Sequence, residues 1–426
     1  MISFSDKTIL KTIGIIGIGK IIFLFVFIHQ VFLWEAHYIA LGLLADGEFY
    51  LISDGIKNYT EQFPVFAYLV FQCYKLFGVS PYPVIVLNIL ISSFTGYFLY
   101  RVLQYFFDEC NFPEKIRKYK SPITQLSLLL FLFHPLINYY TLYNVHPFAL
   151  DLFLLILPLY LMSRWFEKPG SLNFVVYSLV LGLTILNRAT LIVAIVPFFI
   201  LLWRRYNLWK SIRLCSVIMF ISFFVVLPWL IRNYQKDHII GLISGTEKLL
   251  WKGSLAEADG SNYLLNGKNC YELFTVEEQR IMKSLPVREQ DAFFMKKYSE
   301  IVKDKPAQLM KLYLRKLNNF WLFRKQIGNE YSEKVQKFIP LYKVIYLIIL
   351  FLCTFLFVIF PKKLFPLLSV PIALSLLHSV FYVETRHRVL IEPILIFGAI
   401  ISIFFLLELV KVKFFLKKGE LVTHLF

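Results

Sequence analysis

Apolar stretches of roughly 18 to 25 residues recur near 13–34, 84–104, 121–140, 148–163, 214–231, 341–360, 364–383 and 389–410. They constrain this chain more than any other feature, because about 20 consecutive apolar residues are what a helix needs to cross roughly 30 Å of hydrocarbon. Residues 172–203 read as two further short helices, broken at Asn187-Arg188, which brings the count to about ten. A composition of 58% hydrophobic and 18% aromatic residues over 426 positions is more apolar than a soluble domain of this size can bury. The expected fold is an all-α polytopic membrane protein of about ten transmembrane helices, with outer juxtamembrane helices and a small outer helical domain.

The formal charge of +17 does not point to nucleic acid, since the Lys and Arg fall in short loops and at the ends rather than in a basic domain. It reads as a topology signal. Arg117, Lys118 and Lys120, then Arg164 and Lys168, then Arg204, Arg205, Lys210 and Arg213, then Lys362 and Lys363, and finally the tail Lys411, Lys413, Lys417 and Lys418 share the cytoplasmic side. Both termini are then cytoplasmic. The first outer connection, 35–62, is acidic, with Glu35, Asp46, Glu48, Asp54 and Glu61 against Lys57 alone. Alternation makes Pro64 to Gly78 an amphipathic helix in the outer interface rather than a span. The expected organisation is a membrane module over 1–232, an outer domain over 233–337 with DGSN at 259–262 and a helix over 287–316, and C-terminal spans with a basic tail over 338–426. Lys7 and Lys11 precede an apolar run without a cleavage signature, so it reads as a first span that is retained.

Several tempting signals carry no chemistry. Cys73, Cys110, Cys215, Cys270 and Cys353 are scattered without CxxC spacing. Gly14 to Lys20 formally fits GxxxxGK, but Ile21 follows and no strand precedes, so it reads as a small-residue face on a membrane helix. His134, His146, His238, His378 and His387 lack ligand spacing, which leaves no histidine metal site.

Arginines on the outer side are different, because no topology signal places them there. Arg188, Arg232, Arg386 and Arg388 are expected to converge at the outer interface, where a guanidinium at membrane depth demands an anionic partner. The guanidinium fork suits a lipid phosphate, whereas snorkelling or pairing with Glu384 and Glu392 is the purely structural alternative. Glu35, directly after the first span, and Asp151, opening the fourth, can reach the same cavity, and such a carboxylate can serve as general base. Asp151 can equally satisfy free amides at a helix N-terminus. Asp46, Glu48 and Asp54 read most simply as a solvated loop face.

The order of motifs, Y-x-A-x-G-L-L-A-D-G at 38–47, P-V-F-A-Y-L-V-F-Q-C-Y-K-L-F-G at 64–78, L-G-L-T-I-L-N-R-A-T at 181–190, L-P-W-L-I-R-N-Y at 227–234 and T-R-H-R-V-L-I-E-P at 385–393, resembles the GT-C superfamily of membrane glycosyltransferases. It is most similar to bacterial relatives of protein O-mannosyltransferases and of the aminoarabinose transferase that modifies lipid A. That resemblance implies inverting transfer of a sugar from a polyprenyl-phosphate donor to a glycan, lipid or protein acceptor at the outer face of the cytoplasmic membrane. By position it implies Glu35 as the first-loop base, with Asp46 and Asp54 as alternatives, Asp151 as the second-loop acid, and Arg188, Arg232, Arg386 and Arg388 near the donor phosphate. The sequence departs from the family in carrying Trp34-Glu35 where Asp-Glu is usual and Arg386-His387-Arg388 where Arg-Tyr-Arg is usual. No cofactor is implied, and a metal becomes relevant only with a pyrophosphate donor. Rival readings are an O-antigen polymerase or ligase, and a lipid-linked glycan transporter or flippase, for which inverted repeats are expected and not found.

Overall fold

The computed structural model describes residues 6–53, 56–256, 258, 264–266, 268–323 and 336–417. In chain order the helices are α1 (Asp6–Phe27), α2 (Glu35–Ala45), α3 (Pro64–Phe77), α4 (Pro81–Glu109), α5 (Glu114–Arg117), α6 (Lys120–Leu132), α7 (Pro135–Tyr143), α8 (Phe148–Glu167), α9 (Ser171–Asn187), α10 (Ile195–Arg205) and α11 (Leu208–Asp237). There follow α12 (Thr246–Lys252), α13 (Val276–Ser284), α14 (Val287–Asp304), α15 (Pro306–Trp321), α16 (Ile339–Ile359), α17 (Pro361–Val380), α18 (Thr385–Val389) and α19 (Glu392–Lys417). Among the described residues, strands are limited to two pairs: β1 (Phe32–Leu33) runs parallel to β4 (Asn144–Val145), and β2 (Leu51–Ser53) antiparallel to β3 (Ile56–Asn58). The chain is an all-α, multi-pass integral membrane protein.

Seven helices, α1, α4, α8, α11, α16, α17 and α19, are long and apolar enough to span, or eight if α6 and α7 form one span bent by 43°. The bend follows from Pro135, whose ring cannot continue the preceding helix, with the His134 side chain accepting the Ile137 N–H to start α7. The expected ten falls to eight at most among the described residues, because α9 and α10, at 17 and 11 residues, are shorter than a helix that crosses the hydrocarbon. The break between them does lie at Asn187-Arg188, where Arg188 turns extended (φ −160°) before a 3-10 turn over Ala189–Ala194. In α1, α11 and α16 only 22% of the most apolar window is buried inside the protein. The remainder of those apolar surfaces has to face lipid, since nothing in water would compensate it.

The bundle closes where small residues permit. A Cβ on Gly182 of α9 would sit 2.7 Å from the Ser222 carbonyl oxygen and 2.8 Å from the Val225 Cβ of α11, so the two backbones touch directly. The Gly14–Gly19 pair behaves differently from a packing face: both meet open space, and only Gly17 approaches α4, at Ser93. α3 packs through Phe66, Ala67, Val70 and Tyr74 against α2, α4 and α9, and at 14 residues is no span.

Beyond α11 the described residues build a separate apolar cluster in which Trp251 stacks on Phe274 at 4.8 Å and meets Phe294 at 5.1 Å. The single helix expected over 287–316 is two, α14 and α15, because Pro306 has no N–H to continue the ladder and starts a new helix instead. The DGSN stretch, 259–262, lies outside the described residues. Lys316 of α15 donates to the carbonyls of Val380 and Phe381, both at 3.0 Å, and so caps the end of α17.

Candidate active site

Asp151 occupies the first turn of α8 and is wholly buried. A carboxylate so placed requires partners, and the broken end of α9 supplies two. Asn187 Nδ2 donates to Asp151 Oδ1 at 2.8 Å, and Arg188 Nε stands 3.0 Å from Oδ2. The extended backbone at Arg188 is what turns both side chains of a consecutive pair toward α8 rather than spacing them around a helix.

The first loop reaches this pair through backbone pairing. Phe32 lies opposite Asn144 and Leu33 opposite Val145, which places Trp34 beside His146. The Trp34 indole N–H donates to Asn144 Oδ1 at 3.0 Å, and its ring meets that of His146 edge-on at 5.0 Å. His146 Nδ1 accepts the Phe148 N–H at 3.1 Å, which leaves the ring proton on Nε2. Burial, and then the charges of Arg386 and Arg188, hold its pKa well below the usual histidine value, so the ring stays neutral. Arg386 lies over the Trp34 ring at 5.7 Å and pairs with Glu384 at 2.7 Å. Its Nε is buried without a hydrogen-bond partner among the described residues. Glu35 opens α2 next to Trp34, half-buried, its carboxylate free of any partner among the described residues.

Of the arginines expected to converge, Arg188 and Arg386 do so; Arg232 and Arg388 do not. Arg232 donates to the carbonyls of Phe49 (2.7 Å) and Tyr59 (2.5 Å) and stacks on Trp229 at 4.4 Å, which clamps the first loop onto α11. Arg388 turns into a closed pocket, 2% exposed, facing Glu392 at 3.5 Å. Asp46 sits just past the far end of α2, about 16 Å along the helix from Glu35 by its rise per residue. There it accepts from Tyr50 (2.6 Å) and Lys57 (2.8 Å), and these bonds lower its pKa, Lys57 foremost. Glu48 pairs with Lys236 at 2.8 Å in the same solvated rim. Asp54 lies outside the described residues.

Sequence reasoning passed over Asn187, His146 and Trp34 as site residues. Trp34 and Asn144 are 110 positions apart, and no spacing rule connects them. Among the described residues no group of three or more His, Cys, Asp or Glu side chains is placed to hold a metal ion. At the opposite end of the bundle the charges are mainly basic and locally paired, with Arg205 to Glu109 at 2.9 Å, Lys120 to Asp108 at 2.5 Å, and Lys118 and Lys411 on Glu408 at 3.3 and 3.2 Å.

Residues 61–231 match the family described as dolichyl-phosphate-mannose-protein mannosyltransferase. The matched segment runs from just before α3 to near the end of α11, and it holds Asp151, Asn187 and Arg188. Among solved structures, ArnT from Cupriavidus metallidurans bound to undecaprenyl phosphate is similar at 11% identity and a TM-score of 0.40, over 92% of this chain and 76% of that one. No curated protein matches.

Proposed function

Because residues 61–231 match a mannosyltransferase family, we propose that the chain is a membrane glycosyltransferase of the GT-C type that moves a sugar from a polyprenyl-phosphate donor to an acceptor hydroxyl of a glycan, lipid or protein, with inversion. The observation that carries this reading is that Arg188, paired with buried Asp151, and Arg386, over the Trp34 ring, both act on His146 at one end of the bundle, with Glu35 directly after Trp34 in the first loop. Guanidinium forks suit phosphate oxygens through parallel N–H donors, and here Asp151 and Glu384 already balance their charge, so the arginines act as directed donors rather than as surplus charge.

In the proposed step the acceptor oxygen attacks the anomeric carbon, the bond from that carbon to the phosphate oxygen breaks, and its electron pair leaves on the prenyl phosphate. Glu35 takes the acceptor proton, and Arg188 and Arg386 offset the charge that grows on the leaving group. Asp151 serves by orienting Arg188. Asp46 has two partners already, which favours Glu35 over it as base, and Asp54 is the remaining alternative. The prenyl chain lies among the membrane helices.

The site end is taken as external, because the basic end that carries Arg204, Arg205, Lys118, Lys120, Lys362 and Lys363 belongs in the cytoplasm. Both termini are cytoplasmic in this arrangement. Residues 1–232 act as the catalytic membrane module, 233–337 as the outer domain and 338–426 as the closing spans.

The test is release of prenyl phosphate by purified protein in nanodiscs, given a panel of polyprenyl-phosphate sugars and envelope acceptors. Glu35→Gln is expected to lower turnover by about 10² to 10⁴-fold, the usual range for loss of a general base. Arg386→Ala should raise the donor KM as well. Release from no donor by the wild type would sink the transferase reading in favour of a polymerase or transport role.

A further inference from the structure

Arg386 and Arg388 stand two positions apart in the short helix α18, and at 3.6 residues per turn that places them about 200° apart around it. One faces the candidate site and the other faces away. Arg388 is only 2% exposed, and its surroundings are specific. It donates to the carbonyl of Leu322, the residue that ends α15, and to the Tyr342 hydroxyl at 2.9 Å. Phe323 lies 4.6 Å from it and Tyr346 4.3 Å, both ring faces. Glu392 supplies the counter-charge, and is itself held by the Tyr342 hydroxyl and by His134 Nε2 at 2.7 Å. Glu384 both caps α18 and pairs with Arg386, so the turn is tied at both faces.

We propose that Arg388 is a positioning residue: it fastens the turn that carries Arg386 to the end of the outer helix α15, and thereby sets where the Arg386 guanidinium stands in the site. The proposal rests on the reading of Arg386 as a donor-phosphate group. It assigns Arg388 no contact with substrate. Lysine at 388 retains the charge beside Glu392 but loses the fork that spans Leu322 and Tyr342 together. The turn is then free to rotate, and Arg386 with it.

A double-mutant cycle decides the matter. Donor kcat and KM, and melting temperature in detergent, are measured for wild type, Arg386→Ala, Arg388→Lys and the double variant. Arg388→Lys alone should lower kcat/KM by roughly 10- to 100-fold with little change in melting temperature. Added to Arg386→Ala it should change kcat/KM by less than about twofold, because the group it positions is already gone. Equal fold losses in both backgrounds, or wild-type activity in Arg388→Lys, would overturn the proposal. Should Arg388→Lys not fold, Tyr342→Phe removes one of the bonds that hold the guanidinium and enters the same cycle. If the wild type releases prenyl phosphate from no donor, the transferase reading fails by itself, and the cycle is run on binding of farnesyl phosphate instead. Non-additive weakening there supports the positioning role; additive weakening, or no binding by the wild type, overturns it.

Discussion

Asp291 shows how one residue can make part of this molecule respond to pH. It lies at the edge of the outer cluster, 9% exposed, and accepts the Gly245 N–H at 2.9 Å. Burial first, and then Glu247, raise its carboxyl to about 7 from 3.8. A folded-state pKa above the unfolded value means that the folded state binds the extra proton between those two values. Stability from this group is therefore full at acid pH, falls as pH rises from about 4 to 7, and is level above that. Hydrogen exchange in α12 and α14, corrected for intrinsic rate, should show lower protection at pH 8 than at pH 5 in the full chain. Asp291→Asn should flatten the difference, and equal protection at both pH values in the wild type would refute the assignment. At this scale the sequence was legible in residue type and silent on direction. Arg386 and Arg388 read alike as cations in one turn, because only the helical geometry of α18 tells which of them faces the site.

An element places its side chains only as well as it is itself placed. Asn187 and Arg188 hang on the end of α9, and α9 is seated on α11 through Gly182, with Ser222 Oγ donating to the Ser178 carbonyl at 2.7 Å beside it. Gly182→Ala should destabilise by about 1 to 3 kcal/mol, as overpacking does, and should reduce donor turnover by displacing Arg188. Gly14→Ala on α1, where the added methyl meets nothing within 4 Å, serves as the neutral control. Thermal melting and turnover of the two variants side by side check this; equal behaviour would show that the α9–α11 contact does not govern the site. Spans were legible because an apolar run of that length has one stable fate in lipid. The bend at His134-Pro135 and the division of 287–316 were not, since neither interrupts the apolar or amphipathic pattern that flags a helix.

For the whole molecule the claim that matters is which end faces out. Lys268, with a side chain 63% exposed in the region of the Trp251 cluster, and Lys362, exposed in the first turn of α17, lie on opposite sides of the proposed membrane. Cysteine at 268 should react with a membrane-impermeant maleimide in intact cells and cysteine at 362 only after lysis; the reverse pattern would invert the orientation. Background is low because Cys73, Cys110, Cys270 and Cys353 are buried and Cys215 is half-buried. Charge in short loops made the two ends legible from sequence. The grouping of Trp34 with His146 was not, because it depends on two residues of parallel strand that join loops from different parts of the chain. That small pairing sets rules for length. In a ladder a slip of one position turns every side chain to the other face, so one residue inserted between Ile28 and Phe32 would force a choice between keeping the register and keeping the first span seated. Additions within 46–58 meet a second constraint, since Arg232 holds the carbonyls of Phe49 and Tyr59 and β2 pairs with β3. Tolerance to insertion should thus be low on both sides of α2, for two unrelated reasons.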